Sequence, residues 1–227
     1  VTWVWNNLDL IGELTLVHLR QSVVAIAAGF ILSVPLGWLA FRFRLLRGGI
    51  ISITGLLYTI PSLALLILLP ALFGYRATSE LNLLVALTIY AVAILVRSVA
   101  DGLDSVDAAV RASATAVGFG AFRRFWGVEF PLAGPVVLAG LRVAAVSTIS
   151  LATVGALVGV TNLGYLFTNG LGRRILSEVF AGIVAVVVVA LVVDVLLVLA
   201  GRLLMPWSRR TATTRPAPSA VAARRTA

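Results

Sequence analysis

Residues 101–135 read DGLDSVDAAVRASATAVGFGAFRRFWGVEFPLAGP, and they interrupt a chain that is otherwise largely apolar. Three acids, Asp101, Asp104 and Asp107, open the stretch. Small residues fill its middle, and a basic aromatic patch of Phe122, Arg123, Arg124, Phe125 and Trp126 closes it. Acids in that place suit the first turn of a helix, where they meet unpaired backbone N–H groups. Gly118 and Gly120 then break an Ala-rich run, which predicts two short helices meeting at a bend. The stretch is long for a connector between membrane crossings. It either lies in the head-group plane or docks a partner, and that choice decides the function.

Composition sets the frame around it. Hydrophobic residues make up 60% of the 227 and charged residues only 12%, a balance that predicts an integral membrane protein of all-α class. The absence of cysteine excludes a disulfide framework or a thiolate site, and a single histidine, His18, excludes a His cluster within one chain. The net charge of +9 comes entirely from arginines that flank apolar runs, so an anionic membrane leaflet is the expected partner and nucleic acid is not. The first apolar run has no preceding basic region and no small-residue cleavage site, which argues against a cleaved signal peptide.

About five crossings are expected. Residues 1–13 carry Trp3, Trp5, Asn6, Asn7, Asp9 and Glu13 and read as an external amphipathic arm; residues 14–207 form the transmembrane domain; residues 208–227 read as a disordered basic tail. The first crossing contains Ser22 to Phe41, with a bend expected at Pro35 and Gly37 and with His18 and Arg20 as interface residues near its outer end. The second runs from Ile50 to Phe73 and holds Tyr58-Thr59-Ile60-Pro61-Ser62 at its middle. Proline there frees a backbone carbonyl, which in lipid must find a partner inside the bundle. Tyr58, Thr59, Pro61 and Ser62 are therefore candidates for a translocation pathway, with a packing kink as the plainer alternative. The third crossing covers Leu81 to Val99, the fourth Val136 to Gly159 and the fifth Val179 to Leu199. Arg142 inside the fourth is expected to snorkel to the interface rather than to pair with a carboxylate. Asp194 in the fifth is expected to pair with an arginine or reach the inner interface, and Glu129 to make a salt bridge or cap beside Arg123 and Arg124.

Arginine counting orients the chain. With the amino terminus outside, thirteen arginines lie inside (Arg42, Arg44, Arg47, Arg97, Arg111, Arg123, Arg124, Arg202, Arg209, Arg210, Arg215, Arg224 and Arg225) against Arg76, Arg173 and Arg174 outside. That bias places residues 101–135 and the carboxyl terminus in the cytoplasm. No HExxH, nucleotide-cradling loop or Ser/His/Asp set is present, and no lysine at all, so catalysis by this chain is not expected. If transport is driven by a nucleotide, the motor is another chain and its force enters through residues 101–135. Phe119, Phe122 and Phe125 would be the anchors there, with Arg123 or Arg124 as a charged rim.

The spacing of ASATAVGFGAFRRFWGVEFP resembles the coupling motif of type I ABC importer permeases, which reads EAA, three residues, Gly, nine residues, Ile, any residue, Leu, Pro. Gly118 takes the glycine position, Val128 and Phe130 those of isoleucine and leucine, and Pro131 the proline. The EAA triplet falls on Ala112, Ser113 and Ala114, so its glutamate is replaced by Ala112 with Arg111 beside it. Residues 32–44 (LSVPLGWLAFRFR), 58–74 (YTIPSLALLILLPALFG) and 151–164 (LATVGALVGVTNLG) look like permeases for glycine betaine, choline, carnitine and similar osmoprotectants. Thr161 and Asn162 depart from the small residues usual there and are expected to alter an outer gate.

The resemblance implies a type I permease fold with coupling helices at Ala112, Ser113, Ala114, Gly118, Phe119, Phe122, Arg123 and Pro131. It implies two ABC ATPase subunits, which bind ATP and Mg while this chain binds no cofactor. It also implies an identical or paralogous permease chain, an extracellular or lipid-anchored solute-binding protein, and a place in the cytoplasmic membrane. Import of another small solute, such as an amino acid or sulfonate, is the nearest alternative. A self-contained channel or secondary carrier is a more distant one.

Overall fold

A lipid interior offers no hydrogen-bond partners, so a crossing chain must satisfy its own backbone. All regular elements among the described residues, 2–209 of this computed structural model, are accordingly helical. In chain order they are α1 (Thr2–Trp5), α2 (Leu8–Arg42), α3 (Arg44–Thr59), α4 (Ser62–Phe73), α5 (Glu80–Asp104), α6 (Ala108–Ala116) and α7 (Ala121–Arg124). A π-helical turn (Phe125–Glu129) leads into α8 (Phe130–Ala152), and a 3₁₀ stretch (Thr153–Val158) follows it. Then come α9 (Gly164–Gly172) and α10 (Leu176–Leu204). A 3₁₀ turn, Pro206–Arg209, ends the described chain, so the tail expected over 208–227 lies outside it but for its first two positions.

Four helices are long and apolar enough to cross a membrane: α2, α5, the continuous helix Ala121–Val158, and α10. The pair α3 and α4 passes the same test only when taken together and is bent by 105° at residues 60–61, as a broken span or a re-entrant loop. The number is therefore four, or five with that pair counted as one span, and several boundaries move. From Leu8 onward the amphipathic arm is already the first turn of α2, and Pro35 lies within that helix without interrupting it. The fourth helix begins at Ala121 rather than Val136, because Phe125 is buried against Trp38 and draws the aromatic patch into the bundle. Asp101 and Asp104 belong to the end of α5, and only Asp107 caps a helix N-terminus, accepting a hydrogen bond from the Ala109 N–H at 2.8 Å. The connector 160–178 is largely the helix α9.

The bundle is built on α5, which packs against α2, α3, α4 and α8. Small residues set how closely these helices approach. A Cβ on Gly29 of α2 would stand 2.4 Å from the Cβ of Ala91 on α5, and one on Gly140 of α8 would stand 2.1 Å from the Oγ of Ser98. Contacts this close let helix backbones approach each other where hydrophobic burial cannot drive association. One apolar cluster (Leu65, Leu66, Leu69, Leu83, Leu87, Tyr90) fills the space between α4 and α5. Another (Val34, Val99, Leu103, Val106, Phe125, Val137) fills the opposite, arginine-rich end of the bundle, beneath α6 and α7.

Three polar side chains bind the bundle together, and two of them, His18 and Arg142, depart from expectation. His18 is wholly buried rather than interfacial, its Nε2 standing 3.0 Å from the Ile149 carbonyl. Asn162 is wholly buried as well. Its amide donates to the Ala152 carbonyl (2.8 Å) and to Gln21 (3.2 Å), and its oxygen accepts from the Gly164 N–H (2.8 Å), which ties the end of α8 to α2 and α9. Arg142 does not snorkel. Its Nε and Nη2 each donate at 2.7 Å to the two carboxylate oxygens of Asp194, a two-pronged pair between α8 and α10 that supplies each charge with its counter-ion at span depth.

The glycine contacts are directly testable. Gly29→Val should overpack the α2–α5 crossing and lower the thermal unfolding midpoint in detergent, by a cost of roughly 1–3 kcal/mol. Gly12→Ala, which would meet nothing within 4 Å inside α2, should not lower the midpoint and should raise it slightly, by helix propensity.

Candidate functional site

The predicted bend in residues 101–135 is present as an elbow between α6 and α7. Its corner is Gly118, at φ +91°, a conformation that disfavours any residue with a Cβ. The Phe119 N–H donates to the Ala114 carbonyl and the Gly118 N–H to the Thr115 carbonyl, each at 3.0 Å. Those two bonds satisfy carbonyls left free at the end of α6 and are the Schellman pattern that a glycine after a helix allows.

The elbow is fastened to the bundle by arginines. Arg111 donates to the Leu103 carbonyl at 3.1 Å and sits over the Phe41 ring at 5.2 Å, so α6 is tied to the ends of α5 and α2. Arg124 donates from Nε to Glu129 at 2.8 Å and from Nη1 to the Thr115 hydroxyl at 2.8 Å, closing the elbow against the π turn. Glu129 is almost wholly buried, so Arg124 supplies its only cationic partner among the described residues. Where the resemblance expects a glutamate on α6 at Ala112, the salt bridge that steadies the elbow is thus made by Arg124 and Glu129.

The residues named for coupling divide into two sets. Ala112, Ser113 and Gly118 are exposed along α6 and its end, as are Phe122 and Arg123 on α7. Val110, Val117 and Trp126 extend that surface. Ala114 is buried, Pro131 is half-buried behind the π turn, and Phe119 is half-buried beneath Arg123, whose guanidinium lies 5.3 Å from its ring. Phe122 also rims an apolar cavity of about 710 Å³ between α2 and the start of the fourth helix, beside Trp38, Phe125 and Trp126. Phe125 itself is buried, so it anchors the elbow to the bundle and is not part of an outward face.

The broken span supplies the second part of the site. Tyr58, Thr59 and Pro61 are exposed on this single chain and Ser62 is half-buried. The carbonyl that Pro61 frees one turn back, that of Leu57, is taken by the Ile60 N–H at 3.4 Å, and the Ile60 carbonyl at the break itself accepts a hydrogen bond from the Tyr90 hydroxyl at 2.6 Å. The Tyr58 and Tyr90 rings meet edge to face at 5.9 Å. Tyr90 escaped sequence reasoning because nothing in the apolar run 81–99 marks which face meets the break. Its hydroxyl in the middle of a crossing was the available signal. Among the described residues no group of three His, Asp or Glu side chains could hold a metal ion.

Comparison with known proteins agrees with this arrangement. Residues 26–210 match the family described as the binding-protein-dependent transport system inner membrane component. The osmoprotectant import permease protein OsmW of Salmonella typhimurium is 31% identical over 199 residues, covering 87% of this chain and 93% of that protein. The choline transport system permease protein OpuBB of Bacillus subtilis is 32% identical over 198 residues, covering 86% and 90%. In fold, the chain is similar to the MetNI methionine ABC transporter in inward-facing form. The TM-score is 0.71 at 20% identity, over 87% of this chain and 95% of that one.

Replacement of Arg124 by Ala should leave the buried Glu129 carboxylate unpaired. Thermal unfolding should then show a loss of roughly 1–3 kcal/mol, and Arg124→Ala with Glu129→Gln together should recover part of it.

Proposed function

Because the chain belongs to the family of binding-protein-dependent transport system inner membrane components, we propose that it is the membrane-spanning subunit of an ATP-driven importer of quaternary-amine osmoprotectants such as glycine betaine, choline or carnitine. The chain itself is a non-catalytic transport subunit. The observation that carries the proposal is the elbow at Gly118: an arginine-fastened, outward-facing pair of short helices inside the region that matches the family. Similarity to OsmW and OpuBB over most of the chain supports the class of solute.

In this reading two permease chains line one pathway, two ATPase subunits bind ATP and Mg beneath them, and a binding protein delivers solute from outside. The elbow, with Ala112, Ser113, Gly118, Phe122 and Arg123 on its open surface, faces the cytoplasm and seats in the ATPase groove. The arginine-rich ends of α2, α3 and α5 face the same side, with the amino terminus outside, as the positive-inside rule requires. Tyr58, Thr59, Pro61 and Ser62, uncovered or half-covered on one chain, lie where the second permease chain completes the pathway. A neutral or zwitterionic quaternary amine suits such a pathway, because no described carboxylate stands unpaired at the break. Recognition of the ammonium by aromatic rings is left chiefly to the binding protein.

Vesicles holding this chain with its ATPase and binding protein should take up radiolabelled glycine betaine, choline or carnitine only when ATP is present on the ATPase side. Uptake by vesicles holding this chain alone would contradict the proposal. Gly118→Val, which forces a branched side chain into a left-handed position at about 1–2 kcal/mol of strain, should reduce solute uptake per ATP hydrolysed while the protein still reaches the membrane. An equal loss of protein from the membrane would show a folding defect instead.

A further inference from the structure

The half-span α3 has little apolar packing to hold it. Thr54 is its single buried residue, and the Thr54 hydroxyl turns back to the Ile50 carbonyl of the same helix at 2.9 Å. Its place on α5 is fixed by polar links at its two ends. At the inner end the Arg47 guanidinium bridges two carboxylates one turn apart on α5. Its Nη1 donates to Asp104, and its Nη2 donates to Asp101 at 3.0 Å. Arg97 stands 3.5 Å from the other oxygen of Asp101. At the break, the Tyr90 hydroxyl of α5 holds the Ile60 carbonyl. Beyond it, Asn82 of α5 donates to the Leu66 carbonyl of α4 at 2.8 Å.

The spacing of these links is matched. Arg47 and Ile60 are 13 residues apart, about 20 Å of helix, and Tyr90 and Asp104 are 14 apart, about 21 Å. Two antiparallel helices tied at both ends of equal lengths cannot slide or tilt against each other without breaking a tie. Asp104 is also the last residue of α5, and α6 begins four residues later at Ala108, with Arg111 of α6 bonded back to Leu103. The inner tie of the broken span therefore sits at the root of the elbow.

We infer that α3, α5 and α6 form one lever, in which Arg47 is a positioning residue that makes the broken span follow the elbow. The inference rests on the proposed function and names how that function is transmitted. A displacement of α6 by the ATPase would be carried along α5 to Tyr58–Ser62 without any change in the α3–α5 register. Loss of Arg47 would remove the polar tie between the inner end of α3 and α5. α3 would then lag behind α5, and ATP would be spent without moving the pathway.

The chain has no cysteine, so a double variant Arg47→Cys with Asp104→Cys carries a unique thiol pair. In the reconstituted complex with ATPase and binding protein, two rates are measured: ATP hydrolysis and uptake of radiolabelled glycine betaine, choline or carnitine. Arg47→Ala and the reduced double-cysteine variant should lose roughly fivefold or more in uptake per ATP, the scale of a coupling free energy above about 1 kcal/mol. A short reducible bifunctional thiol reagent joining the two positions should restore the ratio, and Arg47→Asp with Asp104→Arg should restore it in part.

A cross-linked complex that hydrolyses ATP but no longer transports would overturn the inference, because α3 must then move on α5. Unchanged coupling in Arg47→Ala would overturn it too. Hydrolysis by the wild-type complex without uptake of any of the three solutes would contradict the proposed solute class alone. Stimulation of hydrolysis by the binding protein then replaces uptake as the readout: the reduced double-cysteine variant should hydrolyse ATP without responding to the binding protein, and the lever requires the cross-link to restore that response.

Discussion

The fold depends on one requirement of the bilayer: every backbone carbonyl freed inside it must be given a donor by the protein itself. The chain frees such groups on purpose at Ile60–Pro61, where the second span turns through 105°. α5 answers there with the Tyr90 hydroxyl on the Ile60 carbonyl, and further along α4 with the Asn82 amide on the Leu66 carbonyl, which Pro70 leaves without its helical donor. A hydrogen bond that cannot be exchanged for water is costly to lose, so α3 is bound to α5 more firmly than its thin apolar contact would suggest. The same helix carries the close glycine contacts to α2 and α8 and leads within four residues into α6. α5 is therefore both the centre of the packing and the link between the break and the elbow.

Charge is arranged in keeping with that requirement. The two ionised groups at span depth, Arg142 and Asp194, satisfy each other through two short hydrogen bonds. Toward the arginine-rich end, arginines act as fasteners: Arg47 on α5, Arg111 on the end of α5 and on Phe41, and Arg124 on Thr115 and Glu129. The guanidinium suits such work because it presents several donors in one plane and bridges two acceptors at once. The elbow is thus fastened from α7 and the π turn, by Arg124 on Thr115 and Glu129.

Much of this was legible before any coordinates. Long apolar runs bounded by arginines mark crossings whatever their packing, so the spans appear in the sequence with only their ends displaced. Gly118 after a small-residue run announced the elbow, and Pro61 announced a carbonyl in need of a donor. What sequence could not supply was the identity of partners far apart in the chain. Tyr90 is 30 residues from Ile60, and Asp194 is 52 from Arg142. A pattern of apolar residues says which segments enter the membrane but not which faces meet. The early start of the fourth helix was hidden for a related reason. Phe125 reads as a surface anchor beside two arginines, yet Trp38 on α2 offers it a buried partner that local pattern does not disclose.

The central claim is that the elbow faces the cell interior, where a separate ATPase reaches it. Val117, exposed beside the corner on a chain without cysteines, is suited to test that claim. A Val117→Cys variant should react with a membrane-impermeant maleimide in inside-out vesicles and in permeabilised cells, and stay unlabelled in intact cells whose outer surface is open to the reagent. Labelling from the outer surface of intact cells would place the elbow on the wrong side of the membrane and contradict the account.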